Sequence, residues 1–265
     1  MKNEPKFVTQ IREKEIGCIS SIKETPMTLQ VTLLADDGIL LASDTLQVKM
    51  PTLAGDVETA SNESKIFLNP QKTIAAACCG RMLPEAFILS VIDVIGPNWE
   101  KGCLVVSECC FDLWKKEEEE HPFLGAEDSS LMIVHSQKRQ VYKALFSKNM
   151  KPTLILKEEN LMRHGARQGH DESPAYFFIR KYLPEKPAKI ESLVRLAANY
   201  VLMAAELDPY GIGGLEIHVS KDGNPFDEVS EEDIRRLAKE SRQLDSRIKE
   251  FILAPLSIAA AAAAL

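Results

Sequence analysis

Two apolar stretches separated by a tight turn constrain the fold more than any other feature of the sequence. Residues 28–35 and 38–44 are rich in Leu, Val and Thr, and the letters ADDG lie where they meet. Asp37-Gly38 is a strong hairpin turn because glycine tolerates a positive φ angle. The segment therefore predicts an antiparallel β-hairpin that begins near Thr28.

Strands and helices follow in blocks along the rest of the chain. Residues 46–64 are polar and contain Pro51 and Gly55, so we expect a loop there, and residues 65–80 predict a strand, a turn and a strand. The further predicted elements, in order, are helices at LPEAFILSVIDVIG and CLVVSECCFDLWKKEEEE, a hairpin of SSLMIVHS and QVYKALF, helices at SPAYFFIRKYL and KIESLVRLAANYVLMAAEL, a strand at LEIHVS, and a closing helix capped by Ser230. This order indicates the α+β class, with helices layered on antiparallel sheets.

Composition excludes several classes of protein. The chain has 265 residues, a net charge of −7 and no basic stripe, so we expect one or two domains and no nucleic-acid partner. No apolar run approaches the roughly 18 residues that a membrane span requires. We expect an N-terminal arm or propeptide over 1–27, one folded domain over 28–253 and a low-complexity Ala-rich tail over 254–265. The six cysteines fit buried, reduced thiols in a cytosolic protein.

The order of three segments carries a resemblance to a known family. MTLQVTLLADDGILLASDT, SKIFLNPQKTIAAACCG and LDPYGIGG together resemble a proteasome subunit, specifically a bacterial proteasome-like protein of the N-terminal nucleophile hydrolase superfamily. The resemblance spans about residues 28–250. It implies a four-layer αββα sandwich of two antiparallel sheets, a cytoplasmic location and assembly into rings with itself or homologous subunits. It also implies a peptide or unfolded-protein substrate, with a regulatory ATPase as a further partner.

The same resemblance assigns five site residues. The family's catalytic threonine falls on Thr28, its acid on Asp44 and its lysine on Lys65. The glycine beside the oxyanion falls on Gly80, and the supporting aspartate near the chain end falls on Asp208.

These residue types form a chemically complete set without metal or cofactor. A threonine hydroxyl needs a base, and a terminal α-amine on Thr28, with a pKa of about 7.7–8.0, would serve as one. The Lys65 ammonium would favour the neutral amine and lower the pKa of the hydroxyl, while Asp44 would keep Lys65 charged and oriented. The N–H of Gly80 would face the developing oxyanion. The prediction is a threonine-type peptidase, in which Thr28→Ala and Lys65→Ala each remove activity and leave the fold intact.

Departures from the family pattern keep a second class open. Met27 stands where the family has Gly, Leu46 where a basic residue is common, and Gly211 where a Ser is expected. The letters GARQG around Gly165 replace a Gly-Ser-Gly turn. The alternative is a non-catalytic structural ring subunit, which the closing segment FDEVSEEDIRRLAKESRQLDSRIKEF resembles at least as well.

A remote alternative rests on the triplet Arg163-His164-Gly165, which is similar to the phosphate-binding triplet of histidine phosphatases. That site normally follows the first strand of a parallel sheet. Here the triplet comes past the middle of the chain and after antiparallel hairpins, so a polar loop is the favoured interpretation. His164 and His170 lack the spacing of zinc ligands, and we expect no metal site.

Overall fold

A computed structural model describes residues 28–49, 59–79, 129–147, 150–157, 161–164, 174–186, 188–209 and 212–254, with ten single positions between 88 and 119. The predicted arm or propeptide over 1–27 lies outside the described residues. So does the Ala-rich tail after residue 254.

The described secondary structure comprises twelve strands, three helices and separate helical positions between 88 and 119. The strands are β1 Gln30–Leu34, β2 Gly38–Ser43, β3 Leu46–Lys49, β4 Thr59–Asn62, β5 Ile66–Leu68, β6 Ile74–Cys79, β7 Ser129–His135, β8 Gln140–Ser147, β9 Met150–Lys157, β10 Leu161–His164, β11 Glu216–Lys221 and β12 Asp227–Glu228. The helices are α1 Pro174–Tyr182, α2 Ile190–Leu207 and α3 Glu231–Leu253.

The strands form two five-stranded sheets and one two-stranded sheet. The first sheet has the order β10-β1-β2-β11-β12 and the second the order β5-β6-β7-β8-β9, while β3 pairs with β4. Every pairing is antiparallel. The predicted mixed fold with antiparallel sheets is therefore confirmed.

The first hairpin forms as predicted, although its glycine is needed for another reason. Leu33 of β1 lies opposite Leu40 of β2, and the Ala35 N–H donates to the Gly38 carbonyl. Gly38 does not have a positive φ angle. Instead, a Cβ at this position would overlap the carbonyl oxygen of Ser220 on β11, so glycine permits the close approach of the two strands.

Both faces of the central strands are buried, which explains their nearly continuous apolar sequence. Ile39 and Leu41 of β2 pack against the second sheet, where they meet Ala75, Ala77 and Met132. The alternate residues of β2 face the other way and pack against α2. A third cluster lies on the outer face of the second sheet and includes the helical residues Ile88, Ile92 and Trp99.

Three parts of the chain differ from the sequence prediction. The predicted loop over 46–64 contains the hairpin of β3 and β4, because Pro51 and Gly55 lie between the two strands and interrupt neither. Strand β9 was not predicted. The predicted polar loop around His164 begins instead as strand β10, which pairs with β1.

The closing helix is confirmed together with its cap. The Asp233 N–H donates to the Ser230 hydroxyl oxygen at 3.2 Å, which satisfies one free donor of the first turn of α3.

Candidate functional site

Lys65 is the centre of the site, because it is a buried charge with two side-chain partners. It stands immediately before β5, and its side chain is only 2% exposed. Its Nζ lies 2.8 Å from Oδ2 of Asp44, which follows directly after β2 and is fully buried. A buried ion pair needs good geometry and further hydrogen bonds to offset the loss of hydration.

Backbone donors supply those further hydrogen bonds to Asp44. The Leu29 N–H donates to Oδ1 at 2.8 Å, and the backbone amide of Gly213 also contacts the carboxylate. Burial raises the pKa of Asp44, while Lys65 and the two amides oppose that rise. Each of these groups donates a hydrogen bond and none accepts one, so the ionised carboxylate is the form that satisfies all of them.

Thr28 completes the group. Lys65 Nζ donates to the Thr28 hydroxyl oxygen at 3.3 Å. The position of Thr28 is fixed by its neighbour, because the Asp44 N–H donates to the Leu29 carbonyl at 3.0 Å. Thr28 is half-buried, whereas Lys65 and Asp44 are buried. A half-buried threonine therefore contacts an ammonium that is almost completely buried.

A glycine turn holds the chain just after Asp44. The Gly213 carbonyl accepts from the N–H groups of Thr45 and Leu46 at 2.8 and 2.9 Å. Gly214 has a φ of 67°, and a Cβ at this position would overlap the Thr45 hydroxyl oxygen. Glycine is required at 214 on both grounds.

Asp208 lies at the other end of the same turn. It follows α2 directly, and its carbonyl accepts from the Ile212 N–H at 3.0 Å. The predicted supporting aspartate thus lies at the start of the segment whose Gly213 backbone amide contacts the Asp44 carboxylate.

Glu216 is a part of this region that sequence reasoning missed. Its Oε1 accepts from the Lys65 N–H at 2.8 Å, and burial raises the pKa of Glu216 to about 6. The one signal in the sequence is an acidic residue within the otherwise buried strand segment LEIHVS.

The structure brings together three of the five predicted site residues, namely Thr28, Asp44 and Lys65. Gly80 lies outside the described residues, directly after β6. The catalytic roles of all five remain predictions. Of the departures from the family pattern, Leu46 begins β3, while Met27 and Gly211 lie outside the described residues.

The triplet resembling histidine phosphatases lies in a different setting from that of such a site. Arg163 and His164 belong to β10, and His164 pairs with Gln30 at the edge of an antiparallel sheet. Gly165 lies outside the described residues. The phosphatase interpretation requires a parallel strand before the triplet, whereas this triplet begins within the antiparallel strand β10.

The described part of the chain contains no cluster of three or more His, Cys, Asp or Glu side chains suited to a metal ion. No helix described there has the length and apolar character needed to cross a bilayer. Cys78 and Cys103 are buried cysteines outside any disulfide, and burial raises the pKa of Cys103.

Solved structures share this fold over most of the chain. Anbu (ancestral beta-subunit) from Yersinia bercovieri has a TM-score of 0.59 and 10% identity, covering 86% of this chain and 98% of its own. Anbu from Hyphomicrobium sp. strain MC1 has a TM-score of 0.60 and 11% identity, and its (Gly-1) mutant has 0.55 and 11%, with the same coverages. No family model matches the sequence, and neither does any curated protein. At these identities the likeness shows the fold alone.

These neighbours correct the family prediction. Membership of the proteasome subunit family is wrong, because the structural neighbours are Anbu proteins, which are proteasome-like but form a distinct family.

Proposed function

We propose that the protein is a threonine-type peptidase with Thr28 as an N-terminal nucleophile. One observation carries the proposal: a buried ammonium, Lys65, contacts both the half-buried Thr28 hydroxyl and the fully buried Asp44 carboxylate. A buried lysine whose head group contacts both a carboxylate and the hydroxyl of a half-buried threonine fits a catalytic site, since a purely structural ion pair needs no hydroxyl partner.

The proposed reaction proceeds through an acyl-enzyme. The Thr28 α-amine, once free, takes the hydroxyl proton, and Oγ1 attacks the carbonyl carbon of the peptide bond. The Lys65 ammonium stabilises the negative charge that develops on Oγ1, and the Gly80 N–H receives the oxyanion. The resulting Thr28 ammonium then protonates the departing amine of the substrate. Water hydrolyses the ester and frees the Thr28 hydroxyl. Asp208 supports the terminal residue in this scheme.

Two substitutions at position 28 test the proposal. Thr28→Ala removes the nucleophile, and we expect cleavage of fluorogenic peptides to fall at least a hundredfold with an unchanged circular dichroism spectrum. Thr28→Ser keeps a hydroxyl and should retain measurable activity. Parental activity in Thr28→Ala would overturn the proposal. A parent protein that cleaves no peptide would favour the non-catalytic structural subunit, which the residues at 27 and 211 also favour.

We further propose that the chain assembles with copies of itself or with homologous subunits. The last turns of α3 expose Phe251, Ile252 and Leu253, with Phe251 83% exposed, and Leu207 at the end of α2 is also exposed. Clustered apolar side chains of this kind mark interaction surfaces. The neighbours named ancestral beta-subunit are consistent with such an assembly. A cytoplasmic location and a regulatory ATPase partner stay predictions.

The four-layer αββα order is part of the same proposal. Three separate apolar clusters support it: one between the sheets, one between the first sheet and α2, and one between the second sheet and the helical residues near 88–103.

A further inference from the structure

Glu216 is a buried carboxylate for which the proposed chemistry has no use. It is 7% exposed at the start of β11, and its Oε1 accepts from the Lys65 N–H at 2.8 Å. The Ser64 hydroxyl and the Ile66 N–H, on either side of Lys65, also lower the pKa of this carboxylate. Their own hydrogen bonds stay within the segment: the hydroxyl donates to the Ile66 carbonyl at 3.0 Å, and the Ile66 N–H donates to the Ser64 hydroxyl oxygen at 3.3 Å. Among the contacts described, the Lys65 N–H is therefore the donor that ties this acidic side chain to the segment leading into β5.

The position of Glu216 in its sheet links this contact to the rest of the site. It pairs with Ser43, the residue immediately before Asp44. Asp44 belongs to the end of the first sheet, whereas Lys65 begins the second. The Glu216 carboxylate thus joins the two sheets beside the Lys65–Asp44 pair.

We propose that Glu216 is a positioning residue, which fixes the backbone of Lys65 so that its Nζ lies between Asp44 and the Thr28 hydroxyl. The inference rests on the proposed peptidase function and names a residue that acts through Lys65 without touching the substrate. A displacement of about 1 Å in such a group costs up to about a hundredfold in rate.

The ionised carboxylate is the form that performs this role. It accepts the Lys65 N–H at Oε1, whereas the protonated form brings an O–H donor toward that N–H donor. Burial and, to a smaller extent, the Glu228 carboxylate on β12 raise the pKa of Glu216 to about 6 against the hydrogen bonds that lower it. Lys65, whose N–H donates to Glu216, carries the ammonium that pairs with Asp44. Protonation below about pH 6 therefore loosens the hold on Lys65.

This predicts a distinctive pH profile. Activity falls about tenfold per pH unit as the Thr28 amine takes up its proton, which gives a slope of one in the logarithm of kcat/KM. Below about pH 6 the protonation of Glu216 raises that slope to two. Glu216→Gln is uncharged at every pH, so its kcat at pH 8 should be about tenfold to a hundredfold lower and its slope should stay at one.

Two exposed carboxylates supply matched controls. Glu228→Gln should leave kcat at pH 8 unchanged and move the steep part of the profile to lower pH, because it removes a charge that raises the pKa of Glu216. Glu63→Gln, on the same segment as Lys65, should reproduce the parent in both respects, since the Glu63 side chain accepts only from Ser61 among the contacts described.

The outcomes separate this inference from the proposed function. Parental kcat and profile in a folded Glu216→Gln variant would overturn the role of Glu216, while loss of activity in Thr28→Ala still supports the peptidase. Absence of any Thr28-dependent activity would overturn both. Where Glu216→Gln fails to fold, Glu228→Gln decides: a displaced steep limb supports the inference and an unmoved one overturns it.

Discussion

At the residue scale, the burial of the Lys65–Asp44 ion pair determines the effect of replacing either residue. The sequence predicts that Lys65→Ala leaves the fold intact, but Lys65 is 2% exposed and its partner Asp44 is fully buried. Removing one member of such a pair leaves an uncompensated buried charge.

We therefore expect Lys65→Met to remove peptidase activity and also to lower the free energy of unfolding by about 3–5 kcal/mol. The double variant Lys65→Met with Asp44→Asn should recover most of that stability and none of the activity, because the amide carries no charge and its oxygen still accepts from the Leu29 N–H. Denaturant titration and a peptide assay check the two effects separately. A double variant that is as unstable as Lys65→Met would show that the pair is not the source of the loss.

Glu216 predicts how stability depends on pH. Its pKa is about 6 in the folded protein against 4.5 for an unperturbed glutamate, so between these values the folded state holds a proton that the unfolded state has lost. Stability is therefore highest below about pH 4.5 for this group and is lost as pH rises through about 6. The shift corresponds to about 2 kcal/mol.

The measurement is the difference in unfolding free energy between parent and Glu216→Gln at pH 4 and at pH 7. We expect that difference to change by about 2 kcal/mol across the range, in favour of the variant at pH 7. Glu63→Gln should show no such change. A constant difference would mean that Glu216 titrates normally in the folded protein.

Single residues also show how far the sequence predicts the site. Thr28, Asp44 and Lys65 were predicted by the order of motifs, since each lies beside a short, recognisable strand. Glu216 was not, because its contact with Lys65 spans 151 positions and no local pattern encodes it. Gly38 was predicted as a turn residue, but the carbonyl of Ser220 that requires it lies on a distant strand.

At the scale of elements, the Gly213-Gly214 turn controls the chain after Asp44. Gly214 has a φ of 67° and no room for a Cβ beside Thr45, whereas a Cβ on Gly213 would meet Leu46 at an ordinary 3.4 Å. The two adjacent glycines therefore differ in what they tolerate.

We expect Gly214→Ala to destabilise the protein by about 1–3 kcal/mol and to reduce activity, because the strain falls on the residue next to Asp44. Gly213→Ala is the matched control and should cost less than about 1 kcal/mol. Thermal unfolding of both variants compares them directly. Equal losses would show that the positive φ angle of Gly214 is not a constraint.

Apolar runs separated by short turns were predictable, whereas the more polar strands β3, β4 and β10 were not. The hairpins β1–β2, β5–β6 and β7–β8 follow from short turns between apolar runs. Strand β10 pairs with β1 across more than 120 residues, and its sequence LMRH has no strand pattern of its own. Its edge position explains why so polar a segment forms a strand.

At the scale of the whole molecule, the exposed apolar end of α3 predicts association. We expect light scattering at micromolar concentration to find particles several times heavier than the 29.5 kDa chain. A mass equal to that of one chain would contradict the assembly proposal and leave the fold and the Thr28 site unaffected.

The α-amine of Thr28 acts as a base only where the bond between Met27 and Thr28 is absent, so the intact mass of the active protein is the most direct test. We predict that protein purified from its native source, and active on peptides, has a chain that begins at Thr28. An active protein that retains residues 1–27 in full would leave Thr28 an ordinary strand residue and contradict the N-terminal nucleophile.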